Sequence, residues 1–269
     1  MRLSNDNLMP SDPVPVAAPA IPAALIGRLR KARAIAVLTG AGISAESGVP
    51  TFRDAQTGMW AKFDPLELAT PDAFRRNAKL VWDWYAWRRE LIGHAAPNAG
   101  HRALAALEPI VSDYLVITQN VDGLHQAAGS TQIVELHGNI QRVKCSREGT
   151  IVTQWDDSSP REAPRCVHCG AFLRPDVVWF EETLPDEALA RAERAARDCD
   201  VLLVIGTTAE VYPAAMLPTY ARHHGAAVVE INPNPTRLTE RVDFALRGPA
   251  GVALPALVAA VWPEASLPS

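Results

Sequence analysis

Cysteine is scarce in this chain: four among 269 residues, Cys145, Cys166, Cys169 and Cys199. A chain of this length can build its core without disulfides. Two of the four form a Cys-x-x-Cys pair, so the pattern speaks for a reducing compartment, the cytoplasm, and for a metal rather than cross-links. No run of about 18 apolar residues occurs, which excludes a transmembrane helix. Positive charge is not in excess either. With 26 Lys and Arg against 30 Asp and Glu the net charge is −4, so nothing sequence-wide attracts nucleic acid or an anionic membrane. Internal repeats are absent, and no pattern sets an oligomeric state. Prolines 13, 15, 19 and 22 break the apolar start of the chain, and Asp6 and Asp12 stand where a secretory signal would carry positive charge. Residues 1–22 are therefore expected to form a disordered leader.

What remains is ordinary globular material, 48% hydrophobic and 21% charged. At roughly 150 residues per domain the length corresponds to about 1.8 domains, hence one large domain or one with an insertion. Three short β-branched runs read as buried parallel strands: Ala34 to Leu38, Tyr114 to Thr118 and Val201 to Ile205. Ala226 to Ile231 follows the same pattern. Each ends in a polar or glycine-rich loop, the position where open α/β sheets bind ligands. Helical periodicity marks Pro71 to Ile92, Asn98 to Leu107, Asp186 to Arg197 and Ala214 to His224. Strands alternating with helices predict a doubly wound parallel sheet of the α/β class. Two stretches break the alternation and are expected as insertions that form a smaller module, about 53–100 and about 138–184. They leave a core of about 23–52, 101–137 and 185–269.

Gly40-Ala41-Gly42-Ile43-Ser44-Ala45 directly follows the first strand and fits Gly-x-Gly-x-x-Gly/Ala, in which small residues let a backbone approach a pyrophosphate. By itself the pattern is also compatible with a tight turn that binds nothing. Trp60 stands where the acidic ribose ligand of a dehydrogenase would be expected, so a ribose here is held differently.

The run continues as Glu46-Ser47-Gly48-Val49-Pro50-Thr51-Phe52-Arg53-Asp54, and the whole stretch resembles the sirtuin family of NAD-dependent protein deacylases. Three more blocks resemble the same family in the same order: Thr118-Gln119-Asn120-Val121-Asp122-Gly123-Leu124-His125, Glu135-Leu136-His137-Gly138, and Gly206-Thr207-Thr208 running on to Ala215. The resemblance extends from about Ile35 to Leu257 and implies a Rossmann-like sheet beside a helical and zinc-ribbon module. It implies a reaction in which NAD loses nicotinamide and the acyl group of an acylated lysine ends on ADP-ribose, giving free lysine. The partners it implies are acylated-lysine proteins or peptides.

Breaking the nicotinamide bond builds positive charge on the sugar, so such a site needs oriented polar groups and excluded water. Asn120 and Asp122 are placed at a strand end to orient the ribose and a water. A later step needs a base for a ribose hydroxyl, and an imidazole suits it; by family match that base is His137. His125 is expected on the following helix in a packing role, while His94, His101, His223 and His224 read as surface residues. The resemblance assigns Phe52 and Arg53 to a loop that covers NAD, and Asn232 to the adenosine ribose. Gly206, Thr207 and Thr208 would meet phosphate or ribose. Gly40, Ala41, Gly42, Ser44, Ala45, Glu46, Thr51, Trp60, Gln119, Val121, Asn234 and Ala250 complete the implied cofactor set.

Tyr85 and Arg88 stand at i and i+3 of an expected helix, where a phenol and a guanidinium share a face and can receive a carboxylate. The pair resembles the Tyr-x-x-Arg of sirtuins that accept succinyl and malonyl groups; a core tyrosine beside a solvated arginine is the plainer alternative. Val177, Val178, Trp179 and Phe180 are expected to offer a strand edge to the substrate peptide. The family usually has Gly after this Phe, and here Glu181 stands there. For zinc, the implied ligands are Cys145, Cys166 and Cys169. Glu148 occupies the place of a fourth cysteine, which leaves Glu148, His168 or water as the fourth ligand, or a ribbon held by packing without metal. Cys199 reads as a small core residue. Two other readings of the same motifs are a mono-ADP-ribosyltransferase and a non-catalytic module that binds NAD or acyl-lysine.

Overall fold

The computed structural model describes residues 17–49 and 64–265; Thr51, Phe52, Arg53, Trp60 and the first sixteen residues of the expected leader lie outside the described residues. The strands are β1 (Ala34–Thr39), β2 (Asp113–Thr118), β3 (Ile133–Glu135), β4 (Gly138–Cys145), β5 (Ile151–Val152), β6 (Leu173–Val177), β7 (Val201–Ile205), β8 (Ala227–Ile231) and β9 (Phe244–Leu246). The helices are α1 (Ala23–Lys31), α2 (Pro65–Leu68), α3 (Pro71–Arg76), α4 (Ala78–Gly93), α5 (Ala99–Leu107), α6 (Leu124–Ala127), α7 (Asp186–Asp198), α8 (Leu217–His223) and α9 (Ala250–Val261).

Six strands form one sheet in the order β3-β2-β1-β7-β8-β9, every neighbouring pair parallel. The strands are apolar throughout because both faces are covered. Ile35 and Val37 point to the side packed by Leu25 and Leu29 of α1, Leu104 and Leu107 of α5, and Leu254 and Leu257 of α9. Ala36 and Leu38 point to the other side, against Ala192 and Ala196 of α7 and Leu217 and Ala221 of α8. This is the doubly wound Rossmann-like arrangement that the alternating sequence predicts. Each wholly buried leucine among these contributes about 1.5–3 kcal/mol by leaving water. The Asp200 carboxylate starts β1, accepting the N–H groups of Arg33 at 2.7 Å and Ala34 at 3.0 Å.

A second, antiparallel sheet has the order β5-β4-β6. Its core is separate and aromatic: Trp82, Trp84 and Tyr85 of α4 pack with Ile140, Val143, Leu173 and Trp179. Members of this cluster fall between Val49 and Ile92 and between Ile140 and Trp179, with Leu124 the exception. β4 begins at the residue after His137, so the chain passes from one sheet to the other at that histidine.

Several expectations need correction. The helix expected over Pro71 to Ile92 is two helices, because Asn77 leaves helical geometry (φ −153°, ψ 83°) and caps α4 by accepting the N–H of Leu80. The helix expected from Ala214 is a 3₁₀ turn, Ala214–Met216, before α8 begins at Leu217. The end of the expected leader is ordered: Ile21 packs against the main core, and the Pro22 carbonyl accepts the N–H of Ile26 in α1. Among the described residues no helix is long and apolar enough to cross a membrane.

Candidate active site

The carboxyl ends of β1, β2, β7 and β8 bring the expected cofactor residues to one edge of the sheet, at the point where connections from β1 pass to opposite faces. After β1 the chain enters a seven-residue 3₁₀ segment, Ala41–Ser47, rather than a long α-helix. It passes so close to the end of β7 that the N–H of Gly42 donates to the Gly206 carbonyl at 2.8 Å. A Cβ on Gly42 would stand 2.7 Å from the Gly206 Cα, and one on Gly206, whose φ is +60°, 2.4 Å from the Ile43 nitrogen. Side chains are thus sterically excluded from both loops where they cross.

Ser44, from the 3₁₀ segment, and Asn120 and Asp122, from the loop after β2, form a buried cluster. Ser44 Oγ donates to Asp122 Oδ2 at 2.7 Å and accepts from Asn120 Nδ2 at 3.2 Å, and Asn120 Nδ2 also lies 3.2 Å from the Gly40 carbonyl. Burial raises the Asp122 carboxyl above its ordinary value, opposed by the N–H of Leu124 and the Ser44 hydroxyl.

His101 corrects the sequence reading. It is fully buried, not a surface residue, with Nε2 3.4 Å from Ser44 Oγ. Its Nδ1 accepts the N–H of Asn98 at 3.3 Å within a capping box at the start of α5. Since Nδ1 accepts, Nε2 carries the proton toward Ser44. The signal in the sequence was Asn98 three residues ahead of His101. His125 packs as expected: it is buried on α6, its Nε2 is 3.0 Å from Thr39 Oγ1, and its ring centroid is 5.0 Å from that of His101. Thr39 Oγ1 donates to Thr118 Oγ1, which accepts the N–H of Asn120 at 3.0 Å. Thr39 and Thr118, overlooked as site residues, thus support Asn120 from below. Burial lowers the pKa of His101 to about 4 and of His125 to about 3, so both are neutral at physiological pH.

His137 stands between β3 and β4 with Nδ1 3.0 Å from the Gln119 carbonyl. A carbonyl can only accept, so Nδ1 holds the proton and Nε2 presents a lone pair. Burial lowers the pKa of this imidazole, with the Gln119 carbonyl acting in the opposite sense, and that favours the form a base requires. Gln119 Nε2 reaches Thr207 Oγ1 at 3.1 Å, and Asn232 Nδ2 lies 3.4 Å from the Thr207 carbonyl, linking the loops after β2, β7 and β8. Thr208 borders an open cleft of about 700 Å³ with Thr236, Arg237 and Arg241. Asn234 is exposed. Glu46 is committed within the protein: its carboxylate accepts the N–H of Gly251 at 2.6 Å in the first turn of α9, beside the buried Ala250.

Tyr85 and Arg88 are both buried on α4, which removes the solvated-arginine alternative. The Tyr85 ring lies edge-on to Trp84 with centroids 4.6 Å apart, and the Arg88 guanidinium is 5.2 Å from the Trp84 ring centroid. Burial raises the pKa of Tyr85, against the attraction of Arg88. The segment after β6 differs from a plain strand edge. The strand ends at Val177; the N–H groups of Val178, Trp179 and Phe180 donate to the His137 carbonyl, the Glu182 carboxylate and the Ala69 carbonyl. Three main-chain donors that a peptide could have used are therefore occupied. Glu181 has φ +71°, the left-handed region that suits glycine and accounts for a Gly being usual there. Arg174 holds this turn from inside, bonding Glu182 at 2.6 and 2.8 Å with its guanidinium 3.3 Å over the Trp179 ring.

The ligand atoms of Cys145, Glu148, Cys166 and Cys169 lie within 4.8 Å of one another. The two halves match. The N–H of Gly149 donates to the Cys145 carbonyl and that of Gly170 to the Cys166 carbonyl, both at 2.9 Å, so Glu148 sits in its turn as Cys169 sits in the other. Three thiols and a carboxylate at this spacing fit a structural zinc, with Glu148, whose carboxylate lies in the cluster, rather than His168, which is outside it, as fourth ligand. Cys199 is buried on the α7–α8 side of the parallel sheet, where burial pushes its thiol up to about 12, as fits a packing role.

Comparison with known proteins identifies the family. The Sir2 family model matches residues 40–213. An NAD-dependent protein deacylase of Aquifex aeolicus is 51% identical over 220 residues, covering 82% of this chain and 92% of the relative. One from Ralstonia nicotianae is 51% identical over 247 residues, covering 92% and 100%. The crystal structure of a Sir2 homologue in complex with NAD superposes with a TM-score of 0.85 at 42% identity, covering 93% of this chain and 98% of the other. By sequence and by fold, the chain belongs to the Sir2 family.

Proposed function

We propose that this chain is an NAD-dependent protein-lysine deacylase that removes succinyl and malonyl groups as well as acetyl groups, and that it acts in the cytoplasm. NAD supplies the ribose carbon that the acyl oxygen attacks and carries the acyl group away. Asn120, held by Ser44 and the Thr39–Thr118 pair, and Asp122, held by Ser44, present polar groups where the reacting ribose sits. Their fixed orientation stabilises developing charge without reorganisation. His137 takes the proton of a ribose hydroxyl at Nε2, the nitrogen left free by its bond to Gln119. Gly40, Ala41, Gly42, Gly206, Thr207 and Thr208 face the phosphates and ribose. Asn232 meets the adenosine ribose in place of the acidic ligand of a dehydrogenase. The acylated peptide lies along Val177 to Phe180 without using the N–H groups of Val178, Trp179 and Phe180, which are occupied within the protein, and it meets NAD in the cleft between the parallel sheet and the smaller module.

The observation that carries the acidic-acyl reading is the burial of Arg88 at 7% exposure, one helical turn from Tyr85 at 2%. A guanidinium and a phenol one helical turn apart share a face of α4, and the planar fork of the guanidinium matches a carboxylate bidentately. Matched acetyl, malonyl and succinyl lysine peptides, incubated with and without NAD and read by mass spectrometry, test the proposal. NAD-dependent loss of all three groups is expected, abolished by His137→Ala. Labelled ADP-ribose on protein without deacylation would instead indicate ADP-ribosyl transfer.

A further inference from the structure

On the face of the sheet that packs against α7 and α8, the inward positions of the central strands are apolar: Ala36, Leu38, Leu202, Val204 and Val228. Glu230 breaks this column. It lies near the end of β8 and is fully buried, which costs several kcal/mol for a carboxylate unless its oxygens are satisfied. They are: Thr236 Oγ1 donates to Oε1, Thr239 Oγ1 donates to Oε2 at 2.7 Å, and Arg247 Nη2 donates to Oε2 at 2.6 Å. Arg247 follows β9 and continues the chain of contacts. Its Nη1 reaches the carbonyl of Asn232 at 3.4 Å and that of Asn234 at 3.3 Å, and Nη2 also reaches Thr239 Oγ1 at 3.0 Å. The N–H of Asn232 is fixed as well, by the Leu246 carbonyl at 3.2 Å.

An ion pair between the buried Glu230 and the half-buried Arg247 therefore ties β8, the Asn232–Thr239 loop and the end of β9 into one unit, and two of its contacts end on the carbonyls of Asn232 and Asn234. We propose that Glu230 and Arg247 are positioning residues for the adenosine end of NAD: they fix the Asn232–Asn234 turn so that Asn232 is preset for the ribose. The inference rests on the reading of Asn232 as the adenosine-ribose ligand. In a dehydrogenase the acid at a strand end bonds the ribose itself. Here the acid stands two residues before the ligand, with both oxygens occupied inside the protein, so it shapes the loop instead of touching the nucleotide. A hydrophobic residue at 230 would fill the same column; what it would not do is hold the guanidinium against the two carbonyls.

The test is steady-state kinetics of Glu230→Gln and Thr239→Val, each alone and combined with Asn232→Ala, varying NAD and acyl peptide separately and recording each variant's melting temperature. Glu230→Gln keeps the shape and removes the charge. It should raise the KM for NAD about tenfold, with kcat falling less than about threefold and the KM for peptide unmoved. Thr239→Val, the milder change, should raise the KM for NAD about threefold. In the Asn232→Ala background both effects should shrink to within about twofold, because the ligand they position is gone. A lowered melting temperature with an unchanged KM for NAD would mean a purely structural pair and overturn the proposal. Effects that simply add to that of Asn232→Ala would overturn it too. If Asn232→Ala alone leaves the KM for NAD unchanged, the underlying assignment of Asn232 fails, a result distinct from failure of the positioning pair.

Discussion

Replacing Arg88 with methionine separates acidic-acyl recognition from deacylation in general. Both side chains are unbranched near the backbone, and Arg88 is 7% exposed beside Trp84, so Met keeps the packing of the stem while removing the guanidinium and its charge. A guanidinium and a carboxylate about 4 Å apart attract by about 4 kcal/mol at an effective dielectric constant near 20. The acyl carboxylate must leave water to reach the guanidinium, so the net value falls to that of a hydrogen bond between charged groups, about 1.5–3 kcal/mol. Since about 1.4 kcal/mol is tenfold, kcat/KM on succinyl and malonyl peptides should drop roughly 10- to 200-fold. An acetyl group has no carboxylate to lose, and its kcat/KM should stay within about threefold. Tyr85→Phe removes one hydroxyl and should cost acidic acyl groups about 1 kcal/mol, roughly fivefold. The assay is kcat/KM on three peptides that differ only in the acyl group, at saturating NAD. Equal losses on acetyl and succinyl substrates for Arg88→Met would refute the reasoning, because they would mean that Arg88 supports the module as a whole.

Burial lowers the pKa of His137, so the acidic limb of kcat/KM against pH should lie below the ordinary histidine value of about 6.5; a limb above 7 would argue that another group is the base. Glu182→Gln should cost about 2 kcal/mol of stability at pH 7, less than a fully buried pair because the Glu182 side chain is 26% exposed. Burial acts against ionisation of Glu182 but Arg174 holds its pKa below the usual value, so this contribution is present above about 4.5 and lost as pH falls through the folded-state value. Denaturant midpoints for wild type and variant should accordingly converge in acid. His101 titrates in the opposite direction from a paired histidine: the fold favours its neutral form. Its contribution is complete above about 6.5 and declines by up to about 1.4 kcal/mol per pH unit down to about 4, so His101→Asn should flatten the acid side of the stability profile. Metal content by elemental analysis after dialysis should fall with Glu148→Ala and be retained with Glu148→Cys; equal zinc in wild type and Glu148→Ala would remove Glu148 as a ligand.

The parallel strands were legible because burial on both faces leaves an apolar run with a polar stop, and β1, β2, β7 and β8 all lie within a residue of the runs read from the sequence. The break at Asn77 was not, since the apolar period continues across it and only the local bond from Leu80 to the Asn77 side chain ends one helix and starts another. Ser44, Asn120 and Asp122 could be named from motifs, but that they bond one another depends on β1 and β2 being neighbours in register, a long-range fact. His101 was misread for the same reason. A histidine one turn into a helix looks exposed until the sheet edge is built over it. Glu230 and Arg247 were invisible because 17 residues separate them and neither belongs to a motif that carries chemistry.

The topology explains why a parallel sheet needs a second sheet to become this kind of site. β1 and β3 are the two neighbours of β2, and the excursions that build the smaller module leave from their carboxyl ends, one after Ser47 and one through His137. Because both departures flank the end of β2, the module they form lies beside the loop after β2 that carries Asn120 and Asp122, and Leu124 just beyond that loop packs into its core. The second excursion returns to the same place. β4 and β6 pair next to the exit, Gly138 opposite Val177, and the N–H of Val178 donates to the His137 carbonyl. At Gly138, where φ is +78°, a Cβ would stand 2.1 Å from the Asp176 carbonyl, so a side chain would push the returning strand away from the histidine. The proposed base and the segment proposed to hold the peptide are therefore joined through a single β-ladder, and their spacing is set by main-chain hydrogen bonds rather than by packing of two independent bodies. A substitution that loosens that ladder, such as Gly138→Ala, should displace the proposed base relative to the proposed peptide segment, and lower deacylation, even with His137, Asn120 and Asp122 all present.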